Sequence, residues 1–282
     1  MPTIVTGKNC EVKFGPGLPT VIIGKRINPT GRKKLAEELK KGNLEIVEED
    51  ARKQAEAGAD IIDVNVGAAG VNEVEMLVKA IGKVMEVTDK PICIDSSNPE
   101  AIKKAIEVYP YKALINSVNG EEKSIETILP IVKESGSAVI CLPMDKKGIP
   151  GSVEERLNIT RRIIQKAESL GIKKEDIVVD CLAMAAATDP SSVKVTLETI
   201  KKVTDELGVS TTLGASNVSF GMPDRPLLNM LFLSMAILNG LTSPILDPLS
   251  DGILEAVRGA DFLAGRDPYG MNYITAQRNR MK

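Results

Sequence analysis

The sequence predicts an α/β fold, specifically a single (β/α)8 TIM barrel with parallel strands. From Thr20 onward, eight short runs rich in β-branched residues alternate with amphipathic stretches whose apolar residues recur at three- and four-residue spacing. The 282 residues show no break in composition, and barrels of this kind commonly reach that length as one domain. A doubly wound open sheet has the same alternation and stays as an alternative at this point.

The eight predicted strands are short and evenly distributed. They cover residues 20–28, 59–67, 91–97, 113–119, 137–144, 176–183, 210–217 and 243–250. Asn98-Pro99 and Asp189-Pro190 follow the third and sixth strands and predict helix starts. Glycines that close helices before the next strand are expected at positions 58, 136, 171 and 208. We therefore predict one domain over residues 1–282, with residues 1–19 as a short N-terminal extension that could plug the barrel floor.

Composition excludes several classes of function. The chain has no histidine, which rules out Ser-His and Cys-His nucleophilic pairs and histidine-containing zinc sites. The 36 basic and 38 acidic residues give a net charge of −2, and aromatic residues are 3% of the chain, so neither charge nor stacking favours nucleic-acid binding. No metal site of its own is expected.

The cysteines and the apolar segments predict a cytoplasmic protein. Cys93, Cys141 and Cys181 lie in apolar runs without a CxxC pair, as expected of core residues in a reducing compartment. The amino terminus lacks the pattern of a signal peptide. The apolar run from Leu227 to Gly240 is shorter than the roughly 20 residues that span a bilayer.

Polar residues stand where nearly every predicted strand ends, which is the edge at which barrel enzymes carry their chemistry. They are Asn28, Asp63, Asn65, Asp95, Asn116, Asn119, Asp180, Asn217 and Asp247. Strand alternation places Asp95 with Cys93, Asn116 with Leu114 and Asp180 with Val178, facing the barrel interior. For any one of them, an Asx turn or helix cap is the alternative interpretation.

The mixture of carboxylates and amides favours a neutral, nitrogen-rich heterocycle as ligand. A carboxylate accepts hydrogen bonds from an amino group and an adjacent ring N–H, and an amide can donate and accept at once. No lysine ends a strand as a Schiff-base lysine would.

At these strand ends the sequence resembles the pterin-binding barrel family, in particular the methyltetrahydrofolate:corrinoid methyltransferases. The matching stretches are GKRIN (24–28), ADIIDVNVG (59–67), CIDSSN (93–98), LINSVNGE (114–121), VVDCL (178–182) and LGASNVSFGMPDRPLLNMLFLSMAILNGL (213–241). They span nearly the whole chain in order, and the last is the most specific.

The resemblance implies roles for particular residues. Asp95, Asn116 and Asp180 would hydrogen-bond the pterin ring, and Asn217 would approach the N5 nitrogen that carries the methyl group. Gly214 and Ser216 would allow close approach of the backbone, Arg225 would be a cation at the mouth, and Asn28 would contact the substrate from the first strand. The catalytic residues would be Asn217 and Asp95. The family carries an acidic residue where this chain has Lys25.

The implied reaction moves the N5-methyl group of 5-methyltetrahydrofolate to the cobalt(I) of a separate corrinoid protein, or the reverse. The corrinoid must come from a partner, because the cobalamin-binding pattern Asp-x-His-x-x-Gly needs a histidine. The resemblance also suggests a homodimer that uses the Leu227–Leu241 helix, which is equally suited to be an ordinary barrel helix. The proton for N5 could come from a perturbed Asp95, or from solvent or the pterin itself with Asn217 stabilising the nitrogen.

Two alternatives remain at this stage. Dihydropteroate synthase shares the Asp/Asn/Asp pattern, but its second-strand loop of Gly-Gly-Ser-Thr-Arg-Pro type is replaced here by residues 67–70, Gly-Ala-Ala-Gly. Its last strand ends in an Arg-x-His pattern, and here residues 247–249 read Asp-Pro-Leu. The other alternative is a non-catalytic folate-binding subunit.

Overall fold

A computed structural model describes residues 1–280 and contains a closed barrel of eight parallel strands. The barrel strands are β3 (Ile23–Ile27), β4 (Ile61–Val64), β5 (Ile92–Asp95), β6 (Leu114–Asn119), β7 (Ala138–Leu142), β8 (Ile177–Asp180), β9 (Ser210–Gly214) and β10 (Ser243–Leu246). Each strand pairs with its sequence neighbours, and β10 closes the ring on β3. The predicted (β/α)8 barrel is confirmed, and the closure excludes the open sheet.

Helices surround the strands in the order that the apolar spacing predicts. They are α1 (Lys33–Lys41), α2 (Glu45–Ala57), α3 (Glu73–Val87), α4 (Pro99–Val108), α5 (Glu122–Ser135), α6 (Val153–Ser169), α7 (Ser192–Lys202), α8 (Arg225–Leu238), α9 (Ile253–Leu263) and α10 (Met271–Arg280). The Asn98 side chain caps α4 by accepting the Glu100 N–H at 3.0 Å. Gly58, Gly136 and Gly208 adopt the left-handed conformation where helical segments end, as predicted. None of the helices within residues 1–280 has the length and apolar character needed to cross a bilayer.

The N-terminal residues form an antiparallel hairpin of β1 (Thr3–Thr6) and β2 (Glu11–Phe14). Val5 and Phe14 are fully buried and pack with the first inward-facing residues of the barrel strands. The Thr3 hydroxyl is 2.7 Å from the hydroxyl of Ser210, which begins β9. The hairpin therefore covers the floor of the barrel, leaving the opposite end open.

The core has two parts, and side-chain alternation decides which residues enter each. Cys93, Leu114 and Val178 pack inside the barrel, whereas Ile92 and Ile94 pack between the strands and the helices. The alternation that the sequence predicts for β5, β6 and β8 is thus present. Asp95, Asn116 and Asp180 share the inward parity of their strands and stand one layer above this interior cluster, at the open mouth.

Candidate functional site

A cavity of about 500 Å³ lies at the open mouth of the barrel. Seven of the eight barrel strands, all except β7, contribute a residue to its wall. Six of the eight residues that the sequence assigned to the site line it: Asn28, Asp95, Asn116, Asp180, Gly214 and Asn217. The convergence follows from the topology, because the carboxyl ends of all eight parallel strands meet at this end.

The other two assigned residues lie in an adjacent cavity. Ser216 and Arg225 line a second cavity of about 360 Å³, which shares Lys25 and Asp247 with the first. Arg225 donates through Nη2 to the Ser216 carbonyl at 3.0 Å and through Nε to the Ser219 hydroxyl at 3.1 Å. The cation predicted at the mouth is thus fixed to the loop after β9 rather than to the wall of the main cavity.

The floor of the main cavity holds two carboxyl groups close together, Asp63 on β4 and Asp95 on β5. Asp63 is 2% exposed, and burial together with the nearby Asp95 charge raises its pKa well above the usual value. Burial also raises the pKa of Asp95 to about 6, although a hydrogen bond from the Asn65 side chain opposes this shift. The sequence flagged Asp63 as a strand end without assigning it to the site, yet its parity with the interior residue Ile61 already indicated an inward position.

Asn116 joins this pair from β6. Its Nδ2 lies 3.5 Å from Asp63 Oδ1, and its strand register sets it beside Asp95. The Cys93 thiol also donates a hydrogen bond to Asp63 from below. The cluster therefore offers carboxylate acceptors and one amide in a single patch, which suits a ring carrying adjacent N–H donors.

Asp180 stands across the barrel at the end of β8. Its Oδ1 accepts the Leu182 N–H at 2.8 Å, whereas Oδ2 has no hydrogen-bond partner within residues 1–280. Burial raises the pKa of Asp180 to about 6, while the charge of Arg156 acts in the opposite direction. One oxygen thus fixes the side chain and the other is available to a ligand.

Asn217 differs from the other amides at the mouth. It ends a short 3₁₀ turn after β9, it is exposed, and its carboxamide makes no hydrogen bond in the part of the chain that the structure describes. A Cβ added at Gly214 would lie 3.0 Å from Asn217 Nδ2. Glycine at position 214 therefore leaves room for the carboxamide beside the cavity.

The Asx-turn alternative holds for several other strand ends. Asn28, Asn65, Asn119 and Asp247 each accept the backbone N–H two residues later, as Asp180 also does. The turns at Asn28, Asn65, Asp180 and Asp247 lie where β3, β4, β8 and β10 end earlier than predicted. Asp63, Asp95, Asn116 and Asn217 make no such turn within residues 1–280.

The first strand brings cations that the sequence did not assign to the site. Arg26 bridges Asp50 at 3.1 Å and Asp247 at 2.8 Å, and Arg32 also pairs with Asp50. Lys25 donates to the Ser216 hydroxyl, and burial lowers its pKa against the opposing effect of Asp247. No pattern in the sequence revealed these contacts, because they join residues that are distant along the chain.

Within residues 1–280 no group of three or more His, Cys, Asp or Glu side chains is arranged to hold a metal ion. The arrangement that is present combines inward carboxyl groups, one amide on the floor and one unbonded amide at the rim. Chemically, it can bind a flat polar ring by its edge and place one more donor next to a reacting atom.

Two curated proteins are similar to this chain along most of its length. Over 266 residues the chain is 31% identical to a methylcorrinoid:tetrahydrofolate methyltransferase of Eubacterium limosum, covering 92% of this chain and 96% of that protein. It is also 31% identical over 247 residues to a methionine synthase of Mycobacterium leprae, covering 83% of this chain but only 20% of that longer protein.

The fold has counterparts among solved structures. A Yersinia pestis dihydropteroate synthase with a pterine-sulfa conjugate superposes with a TM-score of 0.69 at 16% identity, covering 93% of this chain and 99% of that one. At this identity the likeness concerns the fold alone. The protein family described as "pterin binding enzyme" matches residues 24–247 of the chain, from β3 to the end of β10. On the strength of that match and of the similarity to the Eubacterium protein along almost its whole length, the chain belongs to the pterin-binding enzyme family.

Proposed function

We propose that the protein is a methyltransferase that moves the N5-methyl group of 5-methyltetrahydrofolate to the cobalt of a corrinoid held by a separate protein, and that it also catalyses the reverse transfer. The observation that carries the proposal is the unbonded Asn217 carboxamide at the rim of a cavity whose floor presents carboxyl groups and an amide. The 31% identity to a methylcorrinoid:tetrahydrofolate methyltransferase supports the reaction type. The transition state is the same in both directions, so the same contacts serve both.

Asp95, Asn116 and Asp180 bind the pterin ring in this proposal. Ionised carboxylates accept hydrogen bonds from the ring amino and N–H groups, and the Asn116 amide donates to a ring acceptor. Asn28 and Gly214 complete the wall, whereas Ser216 and Arg225 serve the part of the substrate that extends into the second cavity.

Asn217 acts on the reacting nitrogen. During transfer the carbon–nitrogen bond breaks, its electron pair stays on N5, and the methyl group forms its new bond with the electron pair of cobalt(I). Because N5 gains electron density only as the methyl leaves, a hydrogen bond from Asn217 Nδ2 strengthens in the transition state. Such differential binding lowers the activation free energy of methyl transfer from the bound substrate without raising ground-state affinity to the same extent.

The proton that N5 finally holds comes from solvent or from the pterin itself. The Asn217 amide cannot give up a net proton, and the Asp95 carboxylate is used to accept ring N–H groups. With its pKa raised to about 6, Asp95 is nevertheless the group that could compete for this role near neutral pH.

The corrinoid reaches the methyl group through the open end of the barrel, since the hairpin of β1 and β2 covers the other end. The chain contains no histidine for the cobalamin pattern, and therefore the corrinoid is a second substrate delivered by another protein. We place both proteins in the cytoplasm, where the four free thiols of this chain would stay reduced.

A second copy of the chain covers the outer face of α8 in this proposal. Leu227, Leu231, Met235 and Leu238 follow one another at helical spacing and are 43–71% exposed. The helix also packs on α9, and its opposite side, where Phe232, Leu233 and Ala236 are buried, belongs to the main core. A stripe of exposed apolar residues of this length favours a homodimer.

Dihydropteroate synthase activity is the competing function, and one experiment separates the two. The purified protein is mixed under anaerobic conditions with 5-methyltetrahydrofolate and chemically reduced cob(I)alamin, and loss of cobalt(I) absorbance is followed. In parallel, it is supplied with a dihydropterin pyrophosphate and p-aminobenzoate. Methyl transfer without dihydropteroate formation supports the proposal, whereas dihydropteroate formation alone rejects it. Folate binding with neither reaction would indicate a non-catalytic binding subunit.

A further inference from the structure

Arg156 is a buried cation that the proposed reaction leaves without a role. It lies in the first turn of α6, is 2% exposed, and is one of the largest fully buried side chains of the barrel. Its Nη1 donates to the carbonyls of Cys181 at 2.8 Å and Leu182 at 3.0 Å, and its Nε donates to the Pro150 carbonyl at 3.1 Å. These partners are main-chain dipoles, and an opposite charge nearby offsets part of the remaining cost of burying the guanidinium.

Within residues 1–280 no carboxylate forms a direct ion pair with Arg156, and the opposite charge to which its hydrogen bonds lead is Asp180, reached through Leu182. It is the carboxylate that acts on the Arg156 guanidinium within residues 1–280, and the two groups influence each other's ionisation in the expected opposite directions. The groups with which Asp180 interacts electrostatically are Arg156 on α6, the thiol of Cys141 on β7 and the thiol of Cys181. Burial keeps both thiols in the neutral form by raising their pKa values. Arg156 is therefore the charged group that balances Asp180.

The chain between them has an unusual backbone conformation. Leu182 has a φ of 56°, in the left-handed region that bulky residues rarely adopt. Its N–H donates to Asp180 Oδ1 at 2.8 Å, and its carbonyl accepts from Arg156 and from the Thr196 hydroxyl at 3.0 Å. Hydrogen bonds to the N–H and to the carbonyl of Leu182 hold this residue in place, and its N–H in turn fixes one oxygen of Asp180.

We propose that Arg156 is a positioning residue of the pterin site, which fixes the chain after β8 and keeps the Asp180 carboxylate ionised with Oδ2 open to a ring N–H donor. The inference rests on the proposed function, since it assigns Asp180 to the pterin ring. Arg156 itself does not line either cavity at the mouth and acts only through Asp180.

The test compares the affinity for 5-methyltetrahydrofolate at pH 8 and pH 6, measured by titration calorimetry. The protein is studied as wild type and as Arg156→Gln, each with Asp180 and with Asp180→Asn. At each pH the dissociation constant of Arg156→Gln is divided by that of the wild type. If loss of the guanidinium raises the midpoint of Asp180 ionisation by about one pH unit, this ratio grows about fivefold between pH 8 and pH 6. Titration of Asp95 or of the ligand affects both proteins equally and cancels in this ratio.

In the Asp180→Asn background the same ratio stays constant within about twofold, because the group that Arg156 keeps ionised is gone. A ratio that grows equally in both backgrounds would overturn the proposal, and so would a pH-independent ratio with Asp180 present. The latter result would make Arg156 a purely structural residue.

Two further variants retain the charge near Asp180 and guard against failure of Arg156→Gln to fold. Arg156→Lys keeps a cation, and Thr196→Val removes only the second hydrogen bond to the Leu182 carbonyl. Both are expected to weaken binding by a factor that does not depend on pH. An acid-dependent loss in either variant would contradict the role of the charge.

A measurement without ligand separates this inference from the proposed function. The thermal unfolding temperatures of the same variants are compared between pH 8 and pH 5. Arg156→Gln is expected to lower the unfolding temperature more at pH 8 than at pH 5, because protonation of Asp180 removes the buried negative charge that Arg156 stabilises. Asp180→Asn should abolish this difference. If this coupling is present but 5-methyltetrahydrofolate does not bind, the proposed function is wrong and the Arg156–Asp180 coupling stands. If the coupling is absent, the inference fails whatever the ligand does.

Discussion

Replacing Asn217 by alanine isolates the step that separates a methyltransferase from a pterin-binding protein. The carboxamide is exposed and has no hydrogen bond within residues 1–280, so its removal leaves no buried group unpaired and should change the free energy of unfolding by no more than about 0.5 kcal/mol. A hydrogen bond to a group that becomes charged contributes about 1.5–3 kcal/mol. Since about 1.4 kcal/mol corresponds to a tenfold change in rate, Asn217→Ala should slow methyl transfer about 10- to 150-fold.

The assay is single-turnover transfer from 5-methyltetrahydrofolate to cob(I)alamin in a stopped-flow instrument, at saturating folate. Calorimetric titration gives the ground-state affinity, which should fall less than threefold, because the bond strengthens only as the methyl leaves. Asn9→Ala is the matched control, since Asn9 is an exposed amide at the opposite end of the barrel. An equal loss of affinity and of overall efficiency, with an unchanged rate at saturation, would refute this reasoning and make Asn217 a pterin clamp.

A second variant keeps the amide but takes away its space. In Gly214→Ala the added Cβ would lie 3.0 Å from Asn217 Nδ2 and would displace the carboxamide. The backbone of Gly214 has a φ of −73°, which alanine adopts without strain. The variant should therefore fold normally and lose transfer rate, and a full rate would show that the position of the Asn217 side chain does not matter.

Three further predictions concern the floor of the site and the outer face. Asp95→Asn should slow transfer at saturating folate yet preserve the increase in rate as the pH falls; if the increase disappears while folate still binds, Asp95 is the proton donor. Burial raises the pKa of Asp180 to about 6 even though the charge of Arg156 opposes the shift, so on balance the ionised form destabilises the fold above that pH and the protonated form does not. Asp180→Asn should consequently raise the unfolding temperature at pH 8, with a gain that shrinks toward pH 5, and a gain of equal size at both pH values would be inconsistent with this cause. Leu231→Glu, which puts a charge in the exposed apolar stripe of α8, should convert a dimer into monomers in sedimentation analysis; an unchanged dimer would place the interface elsewhere.

The fold could be predicted from the sequence because its signal is local and repeated. Each strand is a short run that contains β-branched residues, and the left-handed glycines at positions 58, 136 and 208 mark the ends of helical segments in the chain itself. Strand alternation likewise gave the inward positions of Asp95, Asn116 and Asp180, because the period of two is a property of the backbone. The strand ends were predicted too far out, since the Asx turns at Asn28 and Asp247 stop the pairing earlier than composition suggests.

Parts of the site depend on contacts between distant elements, which local patterns do not contain. The Arg26 bridge to Asp50 and Asp247 joins the first strand to α2 and to the end of the last strand. The contact of Arg156 with the chain after β8 is of the same kind, and nothing in the sequence of α6 distinguishes this arginine from the partly exposed Arg161 nearby. The placement of Ser216 and Arg225 in the second cavity also needed the structure, because it depends on how the loop after β9 turns.

The most direct test of the account is a crystal structure of the protein with tetrahydrofolate bound. We expect the pterin ring to lie in the main cavity, with its N–H groups on Asp95 and Asp180 and with N5 within hydrogen-bonding distance of Asn217 Nδ2, facing the open mouth. A ring bound in the second cavity, or one whose N5 is turned toward the barrel floor and away from Asn217, would contradict the proposed methyl transfer at this site.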